Sequence, residues 1–199
     1  MSKTVTYYLT PQSPWTYLGH ARLVDLAQQH GAVIDIKPVD LGRVFSVSGG
    51  LPLAKRAPQR QAYRLQELAR WAAYLQLPMN VQPKFFPVQP DLASRLIIAA
   101  RTGLGADVAL ALTGAIMHAL WAEEKNIADD ATLVQIASLC GVDGAMLLKA
   151  AATPGVQEQL DKNTDDAIAA NVFGSPWYVV DGEAFWGQDR LDFVERALA

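Results

Sequence analysis

A serine stands where the first predicted strand of the chain meets the first predicted helix. The stretch reads "YYLTPQSPWTYLG", with Ser13 suited to the N-cap position and Pro14 to the first helical position. Unpaired amides and the helix dipole concentrate positive potential beyond such a first turn, and a sulfur anion placed there is stabilised. Ser13 therefore has two interpretations: it only caps the helix, or it also donates a hydrogen bond to the thiolate of a small molecule.

The single cysteine and the three histidines show no spacing typical of a metal site. Cys140 ends an apolar helical stretch and precedes a glycine, so we interpret it as a buried, inert thiol. His20 lies about two helical turns, roughly 10 Å, from Ser13, which is too far for the hydrogen bond that a serine hydrolase needs. The G-x-S-x-G motif of many such hydrolases is also missing from the sequence. We predict no metal site and no hydrolase.

Composition and charge exclude several classes of partner. Hydrophobic residues make up 51% of the 199 residues and the net charge is -3, so a core can form but a basic face for nucleic acid is not expected. No apolar run reaches the roughly 20 residues that span a bilayer. The amino terminus lacks the zones of a signal peptide, so we expect a cytoplasmic protein that acts on neither nucleic acid nor membranes.

Patterns at the two ends of the chain predict a small α/β sheet domain. The stretches "KTVTYYL" and "AVIDIKPV" read as strands, and apolar residues recur at helical spacing from Ser13 to about Gln29. This β-α-β order predicts a parallel strand pair with a right-handed crossover. Near the end, "WYVV" and "EAFW" surround Asp181-Gly182, which is a strong hairpin signal, and "DRLDFVERALA" predicts a final helix.

The middle of the chain is predicted to be helical. "SVSGGLPLAKRAPQ" predicts a loop, and the helix after it, closed by Pro78, carries an apolar stripe. That stripe comprises Tyr63, Leu65, Leu68, Trp71, Ala72 and Leu75. Four more helical stretches follow, among them "PDLASRLIIAARTG", with Asp91 suited to cap its start, and the long apolar "ADVALALTGAIMHALWAEEK". We infer a discontinuous sheet domain of residues 1–44 and 172–199 around an inserted helical domain of residues 45–171.

The order of elements resembles that of the DsbA-like thioredoxin-fold proteins. Those proteins have a strand, a C-P-x-C turn, a helix, a helical insertion, a cis-proline loop and a hairpin. The resemblance implies an α/β, thioredoxin-like fold with a helical insertion domain. Here the four motif positions read "SPWT" from Ser13 to Thr16, so both cysteines are missing and dithiol–disulfide exchange at this site is excluded.

Three ordered motifs resemble more closely the 2-hydroxychromene-2-carboxylate isomerases and the related kappa-class glutathione transferases. The S-P-[FYW]-x-Y-L motif of those families is matched by "SPWTYL", and V-F-G-x-P by "VFGSP" at residues 172–176. W-G-x-D-R is matched by "WGQDR" at residues 186–190. The likeness also runs through "DLGRV" and the helical insertion, so it covers nearly the whole chain.

The resemblance implies one part of a glutathione site for each motif. In such proteins the motif serine contacts the glutathione sulfur, which implies that role for Ser13. The residue before the cis-proline presents its backbone to the cysteinyl part like an added strand, which implies Ser175 followed by a cis Pro176. The last motif meets the γ-glutamyl end, which implies roles for Trp186, Gly187, Gln188 and Asp189. Two alternatives stay open: Asp189 can simply favour a helix N-terminus, and Trp186 can belong to the core.

A pocket for a second substrate is expected in the insertion. Cations suit a carboxylate and phenylalanines suit an aromatic ring. The candidates are Arg43, Lys55, Arg56, Lys84, Phe85 and Phe86. Each cation can instead be a solvated surface charge, above all Lys55. The isomerases often carry an asparagine in this loop, whereas this chain reads "GGLPLAKRAP", so another conjugated or electrophilic acid is an open alternative.

The function implied by the resemblance is that of a glutathione-dependent isomerase. It acts on an aromatic or conjugated carboxylate by reversible addition of the glutathione thiolate. A kappa-like transferase, which leaves glutathione attached, and a non-catalytic binding module that kept the fold are the alternatives. A homodimer is possible, since dimers are common among such proteins.

Overall fold

Two segments far apart in the sequence form one four-stranded sheet in the computed structural model, which describes residues 2–199. The strands are β1 (Thr4–Leu9), β2 (Val33–Pro38), β3 (Trp177–Val180) and β4 (Glu183–Trp186). Their order in the sheet is β2-β1-β3-β4. Strand β1 is parallel to β2 and antiparallel to β3, and β3 is antiparallel to β4. The chain therefore has the predicted α/β thioredoxin-like sheet.

Helix α1 (Pro14–Gln29) makes the predicted crossover from β1 to β2. The turn between β3 and β4 lies at Asp181 and Gly182, whose φ angles of 50° and 87° suit the primed turn of a tight hairpin. After the hairpin, a 3₁₀ turn (Gln188–Arg190) leads into the last helix of the chain. The predictions for both ends of the chain are confirmed.

Seven helices connect β2 to β3 within the described residues. They are α2 (Leu41–Ser48), α3 (Pro58–Leu75), α4 (Asp91–Leu104), α5 (Ala106–Trp121), α6 (Asp130–Leu139), α7 (Gly144–Ala151) and α8 (Pro154–Ala169), and α9 (Leu191–Leu198) ends the chain. Helix α5 is the most apolar and packs against α1, α4, α6 and β2. Its Ile116 and Trp121 share one core with Tyr7 and Tyr178 of the sheet. The inserted helix α5 therefore packs against both α1 and the sheet.

The prediction of a loop beginning at "SVSGG" is partly wrong, because the first residues of that stretch form the end of α2. Asp40 caps this helix by accepting hydrogen bonds from the amides of Gly42 and Arg43, and Gly49 ends it with a φ of 76°. Helix α7 was also not predicted. It begins after Asp143, whose carboxylate accepts from the Met146 amide. Both helices have only eight residues, so their apolar periodicity is short.

The buried face of α3 differs from the predicted stripe. Tyr63 is 56% exposed, and Leu65, Trp71 and Leu75 are half-buried. The buried positions are Arg64, Leu68 and Ala72, which are spaced four residues apart. The prediction chose the neighbouring aromatic residue, because a basic residue is rarely expected on an apolar face.

Two smaller expectations also change. Asp91 is the first residue of α4 rather than its N-cap, and its carboxylate pairs with Arg95 at 2.8 Å. Cys140 is half-buried at the C-cap of α6, and burial raises the pKa of its thiol. Among residues 2–199, no helix is both long and apolar enough to cross a bilayer, and no group of three metal-ligating side chains is found.

Candidate functional site

Ser13 is the N-cap of α1 and is 7% exposed. Its Oγ accepts a hydrogen bond from the Thr16 amide at 3.2 Å and donates one to the Ser175 carbonyl oxygen at 3.1 Å. The Tyr17 amide donates to the Ser13 carbonyl oxygen. Pro14, the first residue of α1, has no amide proton and so needs no acceptor. Within residues 2–199, the Trp15 amide of this first turn has no acceptor. Ser13 thus caps the helix, and one amide beside it stays free for a ligand.

Ser175 brings the cis-proline loop against the start of α1. Its peptide bond to Pro176 is cis, as expected. The Ser175 hydroxyl accepts from the Thr10 amide at 3.0 Å and shares a hydrogen bond of 2.8 Å with the Thr16 hydroxyl. The Ser175 amide has no acceptor in the part of the chain that the structure describes. The position before the proline therefore keeps one backbone donor available.

We call Thr10, Ser13, Thr16 and Ser175 the hydroxyl cluster. All four are buried, and only the Thr10 hydroxyl lacks a hydrogen-bond partner among residues 2–199. Neither Thr10 nor Thr16 stands out in the sequence as a binding residue, although Thr16 occupies the last position of the "SPWT" motif. Because the cluster offers hydroxyls and amides at a helix N-terminus, it favours an anion without placing a full charge beside it.

Trp186 lies over the cis-proline loop and is 53% exposed, so it is not a core residue. A methyl group at Gly174 would lie 2.2 Å from Trp186 Nε1, which shows how closely the indole approaches that backbone. Phe173 contacts the same indole edge-on, with ring centroids 4.8 Å apart. The Gly187 amide donates to the Pro176 carbonyl oxygen at 3.0 Å. The second and third sequence motifs therefore meet at one edge of the sheet.

Gln188 and Asp189 face different surroundings. Gln188 is 2% exposed, and its Oε1 accepts a hydrogen bond of 2.9 Å from Arg22 of α1. Its Cβ lies only 2.7 Å from where a methyl group at Gly19 would be, so the side chain is packed against α1. Asp189 is exposed and pairs with Arg190 at 2.8 Å. Of the two side chains, only the Asp189 carboxylate is accessible to a ligand.

Three of the predicted substrate cations lie apart from one another. Arg43 forms ion pairs with Asp161 at 3.1 Å and Asp165 at 2.7 Å, both on α8. Lys55 is exposed in the 3₁₀ turn between α2 and α3. Lys84 is exposed, with its ammonium 5.2 Å from the ring centroid of Phe85, which itself packs on the main core.

The remaining predicted residues lie at or beside a cavity of about 290 Å³ between α3 and the following loop. Phe86 lines this cavity, together with Leu53, Leu65, Val81 and Pro83. Arg64 also lines it, with its guanidinium 5.0 Å from the Phe86 ring centroid. Arg56 is close enough to lower the pKa of Arg64. We call this space the Arg64 cavity. Arg64 is absent from the predicted residues, although its spacing from Leu68 places it on the buried face.

His20 takes no part in the hydroxyl cluster. Its Nε2 donates to the Leu110 carbonyl oxygen at 3.0 Å, so its Nδ1 is the acceptor for the Tyr7 hydroxyl at 3.4 Å. Burial lowers the pKa of His20 to about 4, so the ring is neutral at pH 7. The partners of Ser13 are instead Thr16 and Ser175, which argues against a serine–histidine pair.

Comparisons with known proteins cover the same elements. The family of the DSBA-like thioredoxin domain matches residues 4–199. A 2-hydroxychromene-2-carboxylate isomerase from Sphingobium xenophagum is 31% identical over 199 residues, which are 100% of this chain and 99% of the relative. Glutathione S-transferase kappa 1 from Homo sapiens is 23% identical over 208 residues, which cover 100% of this chain and 92% of the relative.

A solved structure of a 2-hydroxychromene-2-carboxylate isomerase has a similar fold. The two chains superpose with a TM-score of 0.82 at 27% sequence identity. The match covers 98% of this chain and 94% of that chain. The similarity therefore includes both the sheet and the inserted helices.

Proposed function

This chain belongs to the DSBA-like thioredoxin domain family and, within it, to the family of the 2-hydroxychromene-2-carboxylate isomerases, and we propose that it is a glutathione-dependent isomerase. Its substrate class is a conjugated aromatic carboxylate. The observation that carries the proposal is the hydroxyl cluster, in which Ser13 and Thr16 replace the two cysteines of a dithiol site at the start of α1.

The free polar groups of the site fit a tripeptide thiol. The amides of Trp15 and Ser175 have no acceptors among residues 2–199, and the buried Thr10 hydroxyl there has no partner. An extended peptide beside Ser175 and Pro176 would accept a hydrogen bond from the free Ser175 amide, as a strand added to a sheet edge does. At the other end, the exposed Trp186 and Asp189, with the backbone amide of Gln188, would hold the γ-glutamyl part, and Gly187 would provide close approach rather than a hydrogen bond, since both of its backbone groups have partners.

The Ser13 hydroxyl has one proton, and binding a sulfur anion requires that proton to change partner. In the structure, Ser13 donates it to the Ser175 carbonyl oxygen. Turning it toward a sulfur would keep the hydrogen bond from the Thr16 amide and would free the carbonyl for a ligand amide. The exchange costs little because each hydrogen bond given up is replaced by another.

The protein's part in the reaction is to keep a thiol ionised and to hold the second substrate beside it. Glutathione, when bound, supplies a thiolate that adds reversibly to a conjugated carbon and so lets a former double bond rotate. The α1 dipole and the Trp15 amide lower the free energy of a negative charge near Ser13. Holding the substrate carboxylate in one orientation keeps the conjugated carbon close to the thiolate, which lowers the activation free energy of the addition.

A kappa-type transferase is the second candidate, favoured by the full-length similarity to glutathione S-transferase kappa 1. It would use the same sulfur site, but the thiolate would stay attached to its product. The two activities differ in what accumulates when an electrophilic aromatic carboxylate is supplied with glutathione: an isomer for one, a conjugate for the other. Separating the products by chromatography decides between them.

Calorimetric titration with glutathione tests the shared premise. We expect saturable binding in the millimolar range or tighter, and isomerisation of 2-hydroxychromene-2-carboxylate only when glutathione is present. Cys140→Ser is the control, because Cys140 lies at the end of α6 and should contribute nothing. If wild type shows neither heat nor a thermal shift with millimolar glutathione, the protein is a binding module rather than an enzyme of this type.

A further inference from the structure

Arg64 is a largely buried cation without a hydrogen-bond or ion-pair partner among residues 2–199. It is 9% exposed, and its guanidinium contacts two aromatic rings, those of Phe86 at 5.0 Å and Trp121 at 6.0 Å. Burial and the nearby Arg56 lower its pKa to about 10, so it remains charged at pH 7. Its nitrogens are not among the fully buried side-chain atoms without partners, so the guanidinium can be reached from the cavity and can pair with an anion there.

The surroundings of this cation are mostly apolar, with two amide side chains. Leu53, Leu65, Val81 and Pro83 line the cavity together with Gln61 and Gln82, and the Phe86 ring centroid lies 5.0 Å from the guanidinium. Among the described residues, no carboxylate lines it. A volume of about 290 Å³ is at the lower end for ligand pockets, so the ligand is small. The cavity therefore suits a flat apolar body that carries one negative group.

Arg56 adds positive potential beside the same cavity. Its Nε donates to the Leu51 carbonyl oxygen at 2.8 Å, which fixes the side chain near Arg64. Two like charges held together raise the free energy of the unliganded site. An anion between or beside them would lower it, so the pair favours a carboxylate over a neutral ligand.

An apolar cluster connects the cavity to the first turn of α1. Trp15, two residues after Ser13, packs in one apolar cluster with Leu68, Ala72 and Val81. Val81 also lines the Arg64 cavity. Val81 thus belongs both to the cavity wall and to the apolar cluster that contains Trp15, which brings the cavity next to the first turn of α1.

Resting on the proposed function, we propose that the Arg64 cavity binds the aromatic carboxylate substrate, with Arg64 as the ligand of the carboxylate and Phe86 against the ring. The planar guanidinium can hold both oxygens of a carboxylate. A ring beside Phe86 gains apolar burial and an aromatic contact. The loop cations Lys55 and Lys84 are not needed for this role.

The test compares two probes of the same shape, 2-naphthoate and its uncharged amide, by calorimetry without glutathione. Wild type should bind the carboxylate about ten to a hundred times more tightly than the amide. Arg64→Met should lose that preference while keeping its affinity for the amide, and Arg64→Lys should retain part of it. Arg70→Met, which changes an exposed arginine of the same helix, should behave as wild type. A preference for naphthoate that survives Arg64→Met overturns the proposal.

Thermal unfolding gives a second readout that a folding defect cannot imitate. Removing an unpaired buried charge should raise the midpoint of the unliganded protein by a few degrees, and naphthoate should then no longer stabilise it. A lower midpoint for Arg64→Met without ligand would mean that Arg64 is structural, which contradicts a ligand role.

Glutathione also carries carboxylates, so the variants must be titrated with it separately. We expect Arg64→Met to bind glutathione as wild type does. A tenfold loss of glutathione affinity with unchanged naphthoate binding would assign Arg64 to glutathione and overturn the proposal. If wild type binds naphthoate through Arg64 but never binds glutathione, the cavity assignment stands and the proposed function fails.

Discussion

The hydroxyl cluster at the start of α1 and the Arg64 cavity both favour an anion, but they do so by different means. In the cluster, the polar groups are hydroxyls and amides that mostly hydrogen-bond to one another. In the cavity, Arg64 carries a full positive charge that has no hydrogen-bond or ion-pair partner among residues 2–199. The hydroxyls and amides of the cluster can stabilise an anion and release it again, because their own hydrogen bonds re-form. Arg64 has no such alternative partner, so we expect it to keep a carboxylate bound.

The difference matches the two tasks of the proposed reaction. A thiolate that must add and leave suits a site whose donors have alternatives, such as Ser13 with Ser175. A carboxylate that must stay fixed during the reaction suits a site whose cation has none, such as Arg64. The predictions that follow test whether this division is real, beginning with the reacting sulfur.

Ser13→Ala should remove the donor to the sulfur and leave the rest of the cluster in place. We expect turnover to fall about 10²- to 10³-fold, as when one donor to a reacting anion is deleted, with only a modest loss of glutathione affinity. The helix cap is lost as well, which should lower the free energy of unfolding by about 1 kcal/mol. Steady-state kinetics with saturating glutathione measures the first effect and urea unfolding the second.

Ser13→Asp separates capping from chemistry. An aspartate caps a helix as well as serine does, so stability should return, but its negative charge opposes a thiolate and turnover should stay low. If both variants turn over like wild type, Ser13 is only a helix cap. The hydroxyl cluster would then have no part in binding the sulfur, which contradicts the proposed division between the two regions.

His20 provides an internal reference, because it is as buried as Arg64 but has a partner for each ring nitrogen. Its pKa in the folded protein is about 4, below the value of about 6.5 expected when unfolded, so the unfolded state binds more protons between these values. Stability from this group is complete above pH 6.5 and is lost as the pH falls, by about 3 kcal/mol at pH 4. Urea unfolding between pH 4 and 7 measures this loss.

His20→Gln keeps a donor for the Leu110 carbonyl oxygen but cannot take up a proton. The variant should lose the part of the pH dependence that belongs to His20. An identical pH profile for the two proteins would show that His20 takes up a proton as readily in the folded as in the unfolded state, contrary to the lowered pKa that its burial implies.

The fold could largely be predicted because long elements carry strong patterns. The strands, α1, α5 and the Asp181-Gly182 hairpin follow from periodicity and turn chemistry that act locally. Helices α2 and α7 escaped prediction because eight residues give too few turns for a period to show. The DsbA-like fold was inferred from the order of the elements, and the isomerase family from three motifs, by resemblance rather than from physics alone.

The candidate sites were predictable only where a residue's type gives its role. Ser13 and Ser175 stand in recognisable motifs, and the structure brings them together. Arg64 could not be found in this way, because its importance comes from burial without a partner, and burial depends on which face of α3 meets the core. Arg43 illustrates the converse: its charge suits a carboxylate, but Asp161 and Asp165 already supply one each.

Gly174→Ala tests the smallest feature of the sulfur site, the contact between Trp186 and the cis-proline loop. The added methyl group would lie 2.2 Å from Trp186 Nε1, so the indole must move from its place over the loop. If Trp186 holds the γ-glutamyl end, glutathione affinity should fall about tenfold, while the affinity of the Arg64 cavity for naphthoate stays unchanged. Gly155→Ala, where nothing lies within 4 Å, is the control and should stabilise α8 by about 0.5 kcal/mol without affecting either ligand. Unchanged glutathione binding in Gly174→Ala would remove Trp186 from the site, and a parallel loss of naphthoate binding would show that the two regions act as one.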